Sequence, residues 1–231
     1  MLPALVASAA LMLVAATGAQ AKVVELTGTT TITPSSEATQ FLANNGVTVT
    51  PTGKATAEGG GYVFPIAAGF GNPKTFNGLL AHKGGLKFSK GERSAVVQRF
   101  VAVRIRGAGA VVLAQLPGLR GGCSHLRQAL GRFALEHPKA AHRIRKAARK
   151  HPQATRHLLR AVREYCSGGR VIVLARLTNL GKQTSYSGAL LTADLKLSAQ
   201  AARLLNKLAG TNTLSAGAPL GTGESRVSVF D

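Results

Sequence analysis

The sequence predicts a mainly β protein: an antiparallel β-sandwich with short helices and an inserted, disulfide-closed module of three helices. Three observations predict this architecture. Segments rich in β-branched residues, separated by Gly, Pro and Asn turns, lie on both sides of a central stretch. That central stretch is strongly basic, has helical spacing, and carries the two cysteines near its ends. The chain has 231 residues, 45% of them apolar, which is enough for one domain with such an appendage.

Residues 1–21 have the features of a secretory signal peptide. They contain no charged residue, and Leu5 to Ala16 form an apolar run of roughly signal-peptide length. Ala19-Gln20-Ala21 then offers small residues on both sides of a spacer, as signal peptidase requires. The run is too short to cross a bilayer of about 30 Å comfortably as a permanent helix. We therefore expect an extracellular or cell-surface protein that begins near Lys22; the alternative is an uncleaved anchor.

The β-rich parts are residues 22–119 and 170–231, which we expect to form one sandwich domain. Their strand spacing is typical of sandwiches and barrels. Two short helices interrupt the strands: one opens with Pro34-Ser35-Ser36-Glu37 and the other with Ser198, and they end at Gly46 and Gly210. The predicted strands are 23–33, 46–50, 62–66, 76–80, 85–89, 95–105, 170–177, 185–197 and 226–230.

Residues 120–169 form the basic insert. Twelve Lys and Arg residues stand there against two acidic ones, in a chain of net charge +20. Apolar residues recur at helical spacing in three blocks, separated by His137-Pro138 and His151-Pro152, and this predicts three helices. Cys123 and Cys166 lack zinc-type spacing, so we expect a disulfide, which needs Cα atoms within about 7 Å and would close the helices into a triangle. The other interpretation is two unrelated buried thiols.

The net charge indicates an anionic partner and says nothing about the fold. Aromatic residues make up 5% of the chain and Trp is absent, which together with export argues against nucleic acid. The sequence has no nucleophile elbow, zinc-protease motif or phosphate loop, and its 9 acidic residues offer few acid–base pairs, so we expect no enzymatic activity. The residues that we expect to contact an anionic polymer or a membrane surface are Arg143, Arg145, Lys146, Arg149 and Lys150.

The stretch from Gly60 to Ser89 resembles the haem-transport-associated (HtaA-type) domain. Tyr62-Val63-Phe64-Pro65 followed by Ala81-His82-Lys83-Gly84-Gly85-Leu86 is similar to that family's aromatic strand and its following His-x-Gly-x-Leu element. The C-terminal stretch 191–227 looks like the domain's closing portion. The resemblance implies an antiparallel β-sandwich on an exported bacterial protein that binds or relays haem at the cell surface. The family's tyrosine ligand has no counterpart in residues 36–45.

The insert resembles the small disulfide-closed haemophore domain of mycobacteria. The resemblance covers Cys123, Phe133 to Pro138, His151-Pro152 and Cys166, and Phe133 stands where that family has a tyrosine. The remaining candidates for haem iron are the imidazoles of His82 and His137, with Lys83 as a cation for a propionate. The resemblances imply an exported, non-catalytic binding protein of the haem-uptake group. The alternative is a cell-envelope protein whose basic insert binds anionic wall polymer or lipid.

Overall fold

A computed structural model of the chain describes residues 24–71, 78–105, 109–119, 165, 167–184 and 188–230. These residues form an antiparallel sheet and two short helices. The strands are β1 (Val24–Pro34), β2 (Thr48–Thr52), β3 (Thr56–Glu58), β4 (Gly61–Gly71), β5 (Gly78–His82), β6 (Gly85–Lys90), β7 (Arg93–Ile105), β8 (Gly109–Leu116), β9 (Arg170–Thr184), β10 (Gly188–Leu197) and β11 (Pro219–Phe230). The helices are α1 (Ser36–Asn44) and α2 (Ala199–Ala209).

Eight of these strands close into one barrel. Its order is β1, β11, β10, β9, β8, β7, β5 and β4, and β4 pairs with β1 again. The long strand β7 pairs with β5 through residues 101–104 and with β6 through residues 93–98, so β6 and β2 extend the sheet beyond the ring. The mainly β prediction is confirmed, but the sandwich prediction is wrong. Because β8 pairs with both β7 and β9, the strands form one closed sheet and not two packed ones.

The predicted disulfide-closed module of three helices is not among the described elements, because nearly all of residues 120–169 lie outside the described part of the chain. The helices among the described residues are α1 and α2, and strand β8 ends at Leu116 while the next described strand, β9, begins at Arg170. Cys123 and Cys166 lie outside the described residues, and so does the predicted signal peptide, residues 1–21. The fold class is therefore corrected to a closed antiparallel barrel with two short helices.

The two helices pack at one end of the barrel and begin where the sequence predicts. The hydroxyl oxygen of Ser35 accepts a hydrogen bond from the backbone N–H of Ala38, and that of Ser198 accepts one from Ala201, both at 3.1 Å. Phe41 of α1 packs against the buried face of α2. No helix in the described part of the chain has the length and apolar character needed to span a membrane.

The opposite end of the barrel is the hairpin end, where β4 connects to β5, β7 to β8 and β9 to β10. The core is densest toward the helices, where the rings of Phe64 and Phe100 meet edge to face with centroids 5.0 Å apart. A smaller cluster of Leu26, Ile66, Leu80 and Val227 lies nearer the hairpin end. Between these two clusters the interior is not completely filled.

Candidate functional site

An apolar cavity of about 130 Å³ lies inside the barrel, and all eight barrel strands contribute to its wall. Its inner end is closed by Phe64, Phe100 and Leu195, which are at most 3% exposed. Its outer end reaches Leu180, which is 40% exposed, and therefore leads toward solvent at the hairpin end. A concave, mostly apolar space with a few polar groups is the usual form of a small-molecule site.

Three polar side chains on three strands form one hydrogen-bonded chain in the cavity wall. Thr30 on β1 and Ser225 on β11 are partners in the strand register, and their hydroxyl oxygens are 2.8 Å apart. The same Thr30 oxygen lies 2.7 Å from Nε2 of His82 on β5. Nδ1 of His82 lies 3.1 Å from the backbone oxygen of Phe100 on β7. The chain therefore links β11, β1, β5 and β7 through the interior.

The direction of these hydrogen bonds follows from the state of His82. Burial lowers the pKa of His82 to about 4, against the opposing effect of the bond to the Phe100 carbonyl, so the ring is neutral at pH 7. Because a carbonyl oxygen can only accept, Nδ1 carries the single ring proton. Nε2 then accepts from the Thr30 hydroxyl, and Ser225 donates to Thr30. Each polar proton of Ser225, Thr30 and His82 is donated within this hydrogen-bonded chain, so the three side chains present only lone pairs to the cavity.

Arg104 is the charged residue among the described residues that line the cavity. It lies near the hairpin end of β7, where its register partners are Gly78 on β5 and Ala110 on β8. Both partners are small, which leaves room for a long side chain inside the barrel wall. The site thus has a cation at its outer end and a neutral polar chain deeper inside.

The predicted site residues divide into three groups. His82 lines the cavity, together with Leu79 and Leu80 on the same strand. Lys83 does not: it follows β5 in an exposed turn, where its backbone N–H donates to the carbonyl of Pro65 at 2.9 Å. The others lie outside the described residues, and the roles predicted for them stay predictions: His137, Arg143, Arg145, Lys146, Arg149 and Lys150.

Thr30, Ser225 and Arg104 are site residues that sequence reasoning missed. Thr30 stands in a run of threonines and Ser225 in a mixed polar stretch, so neither position is marked by alternation. His82 was predicted because it lies in the segment that resembles the family's His-x-Gly-x-Leu element. Its partners become visible only when the closed sheet brings β1, β5 and β11 together.

Haem is the group that the family resemblance implies, and the described residues do not enclose it. An engineered protein cavity of about 150 Å³ holds benzene, so about 130 Å³ does not hold a porphyrin macrocycle as the barrel stands. Both ring nitrogens of His82 are already hydrogen-bonded. Of the described tyrosines, Tyr62 packs against the main core and Tyr165 packs with Leu113 and Val171, away from the cavity.

The fold and the site define an eight-stranded antiparallel barrel with an internal apolar cavity. The C-terminal domain of HtaA from Corynebacterium glutamicum has a similar structure, with a TM-score of 0.55 and 10% sequence identity over 90% of this chain and 99% of that one. Heme binding protein HtaB from the same organism gives a TM-score of 0.48 at 10% identity, over 90% and 96% of the chains. The likeness to the HtaA domain confirms an HtaA-like fold. No protein-family model and no curated protein matches the sequence.

Proposed function

We propose that this protein is an exported, non-catalytic binding protein that takes the apolar part of its ligand into the barrel. The observation that carries the proposal is the aliphatic cavity, because protein interiors are close-packed and leave few voids larger than a water molecule. Side chains that line a void lack contact partners on one side, and an apolar ligand restores those contacts. Export is included because the N-terminal residues predict it.

The hydrogen-bonded chain supports binding over catalysis. Thr30 and His82 have the geometry of a hydroxyl beside a base, but a histidine whose pKa is about 4 is a weak general base at neutral pH. The ring is oriented by the neutral carbonyl of Phe100 and not by a carboxylate, so no negative charge in the hydrogen-bonded chain offsets the cost of forming an imidazolium in the interior. The three side chains therefore fix the geometry of the wall and leave the interior without a reactive base.

Filling the cavity tests the proposal. Calorimetric titration with 1-octanol should show binding to the wild type. Ala102→Leu should weaken this binding at least tenfold, because the added methyl groups occupy the space of the ligand. Ala193→Leu, on another wall of the cavity, provides a second variant if the first is unstable. Ala67→Leu on the exposed face of β4 is the control and should bind octanol as the wild type does. Equal affinity in all four proteins would contradict the proposal.

Haem is a second candidate ligand, and one observation favours it beside the HtaA-like fold. Metal-binding histidines usually donate a hydrogen bond from their second ring N–H to a carbonyl or carboxylate, and the Nδ1–H of His82 donates to the Phe100 carbonyl in this way. Iron can reach Nε2 only if the Thr30 hydroxyl turns away and the barrel widens. The same fold supports assignment of the protein to the haem-uptake group as part of this second proposal.

A haemin titration separates the two candidates. If haem binds through His82, the wild type shifts the Soret band, and His82→Ala lowers the affinity at least tenfold, about 1.4 kcal/mol. Lys87→Ala, an exposed cation on β6, is the matched control and should leave the titration unchanged. A Soret band that stays unshifted at micromolar haemin would contradict the haem candidate and leave octanol binding unaffected.

A further inference from the structure

We infer that the cavity binds an apolar carboxylate whose anionic group pairs with Arg104 while its hydrocarbon part lies inside the barrel. This inference rests on the proposed function, since it assumes that the cavity holds a ligand. It adds the charge of the ligand, the orientation of the ligand in the cavity and the residue that recognises its charged group.

The register places Arg104 on the inner face of β7. Its partners Gly78 and Ala110 line the cavity, and so does Ala102, two residues earlier on the same face. Arg104 is half-buried, so its long side chain follows the apolar wall while the guanidinium can remain near water at the outer end. A cation at the rim of an apolar space is the arrangement that an amphiphilic anion requires.

Two carboxylates on other strands of the barrel, β10 and β11, are engaged elsewhere. Asp194 on β10 accepts a hydrogen bond from Asn179 at 2.6 Å, and Glu224 on β11 pairs with Arg226 at 2.9 Å, both on the exposed face. Among the described residues, no acidic side chain forms an ion pair with Arg104. The positive charge at the rim is thus available to a ligand, and a guanidinium can hold a carboxylate with two parallel hydrogen bonds.

The inner end of the cavity gives the ligand its orientation. Gly78, opposite Arg104, is four residues from His82 along β5, which is about 13 Å at the usual rise of a strand. At that depth Ser225, Thr30 and neutral His82 cannot donate to a ligand, because their hydroxyl and ring protons are already donated within the hydrogen-bonded chain. An anion there would meet only lone pairs. The carboxylate therefore belongs at the outer end and the hydrocarbon at the inner end.

Octanoate and 1-octanol test this inference because they share a chain and differ in charge. At pH 7.5 and low salt, the wild type should bind octanoate about tenfold more tightly than octanol in calorimetry. Arg104→Gln should remove that difference, whereas Arg104→Lys should keep most of it. Arg176→Gln is the control: Arg176 is an exposed cation on the barrel strand β9, and its loss should change neither affinity.

The outcomes distinguish the carboxylate inference from the proposed function. If octanol and octanoate bind equally well in the wild type, or if Arg104→Gln weakens both to the same extent, the carboxylate inference is overturned and the proposed function stands. If neither compound binds to the wild type, both are overturned. A loss of the octanoate preference in Arg104→Gln but not in Arg176→Gln supports the inference.

Discussion

His82 shows how the interior fixes the chemistry of a single residue. The ring is 7% exposed and bonded on both sides, so its tautomer is determined by Phe100 and Thr30. The sequence allowed His82 to be predicted as a site residue, because it lies in the segment that resembles the family's His-x-Gly-x-Leu element. It did not reveal the partners, since Thr30 and Ser225 are 52 and 143 residues away from His82 and are brought to it only by closure of the sheet.

Burial of His82 makes folding stability depend on pH. In the unfolded chain the ring takes up a proton near pH 6.5, but in the folded protein only near pH 4. The contribution of His82 is thus complete above about pH 6.5 and decreases as the pH falls toward 4, by roughly 3 kcal/mol in total. Urea unfolding at several pH values should show this loss in the wild type, and His82→Gln should lack it. The same pH dependence in both proteins would contradict the burial of a neutral ring.

At the scale of the strand, a bulge decides which face of β7 enters the barrel. The register shifts between Gln98 and Val101, and Arg99 has a positive φ of 51°. Val97 and Phe100 are both buried although they are three residues apart, so the inward positions change parity there. Alternation in the sequence would turn Val101 and Val103 inward and Arg104 outward. The bulge places Arg104 and Ala102 inside, and this is why the cation of the site could not be predicted.

Gly28 keeps β1 and β11 close enough for the Thr30–Ser225 hydrogen bond. Its φ is +131°, and a Cβ there would lie 2.0 Å from the carbonyl oxygen of Arg226. Gly28→Ala should therefore destabilise the protein by roughly 2–3 kcal/mol in urea unfolding, through strain and separation of the strands. Gly59→Ala is the control: its φ is +56° but nothing lies within 4 Å, so the cost should be about 1 kcal/mol. An equal loss in the free energy of unfolding for both variants would show that separation of β1 and β11 is unimportant.

For the whole molecule, the sequence allowed the β content and the helix starts at Ser35 and Ser198 to be predicted, because strand propensity and capping are local properties. It did not allow the closed topology to be predicted. Sandwiches and barrels share strand lengths and alternation, and they differ in whether β8 pairs with β7 as well as β9. Closure also creates the cavity, since residues from all eight strands face one axis. The site therefore depends on pairing between strands that are far apart in the sequence, and no single sequence motif predicts it.

The central claim is that an apolar ligand enters this barrel, and methyl NMR tests it most directly. With Leu and Val methyl groups labelled, addition of 1-octanol should shift the signals of Leu80, Leu191 and Val227, which line the cavity. Leu113 and Val171 pack with Tyr165 on the other face of β8 and β9 and should stay unchanged. Shifts confined to Leu113 and Val171, or none at saturating octanol, would contradict the account.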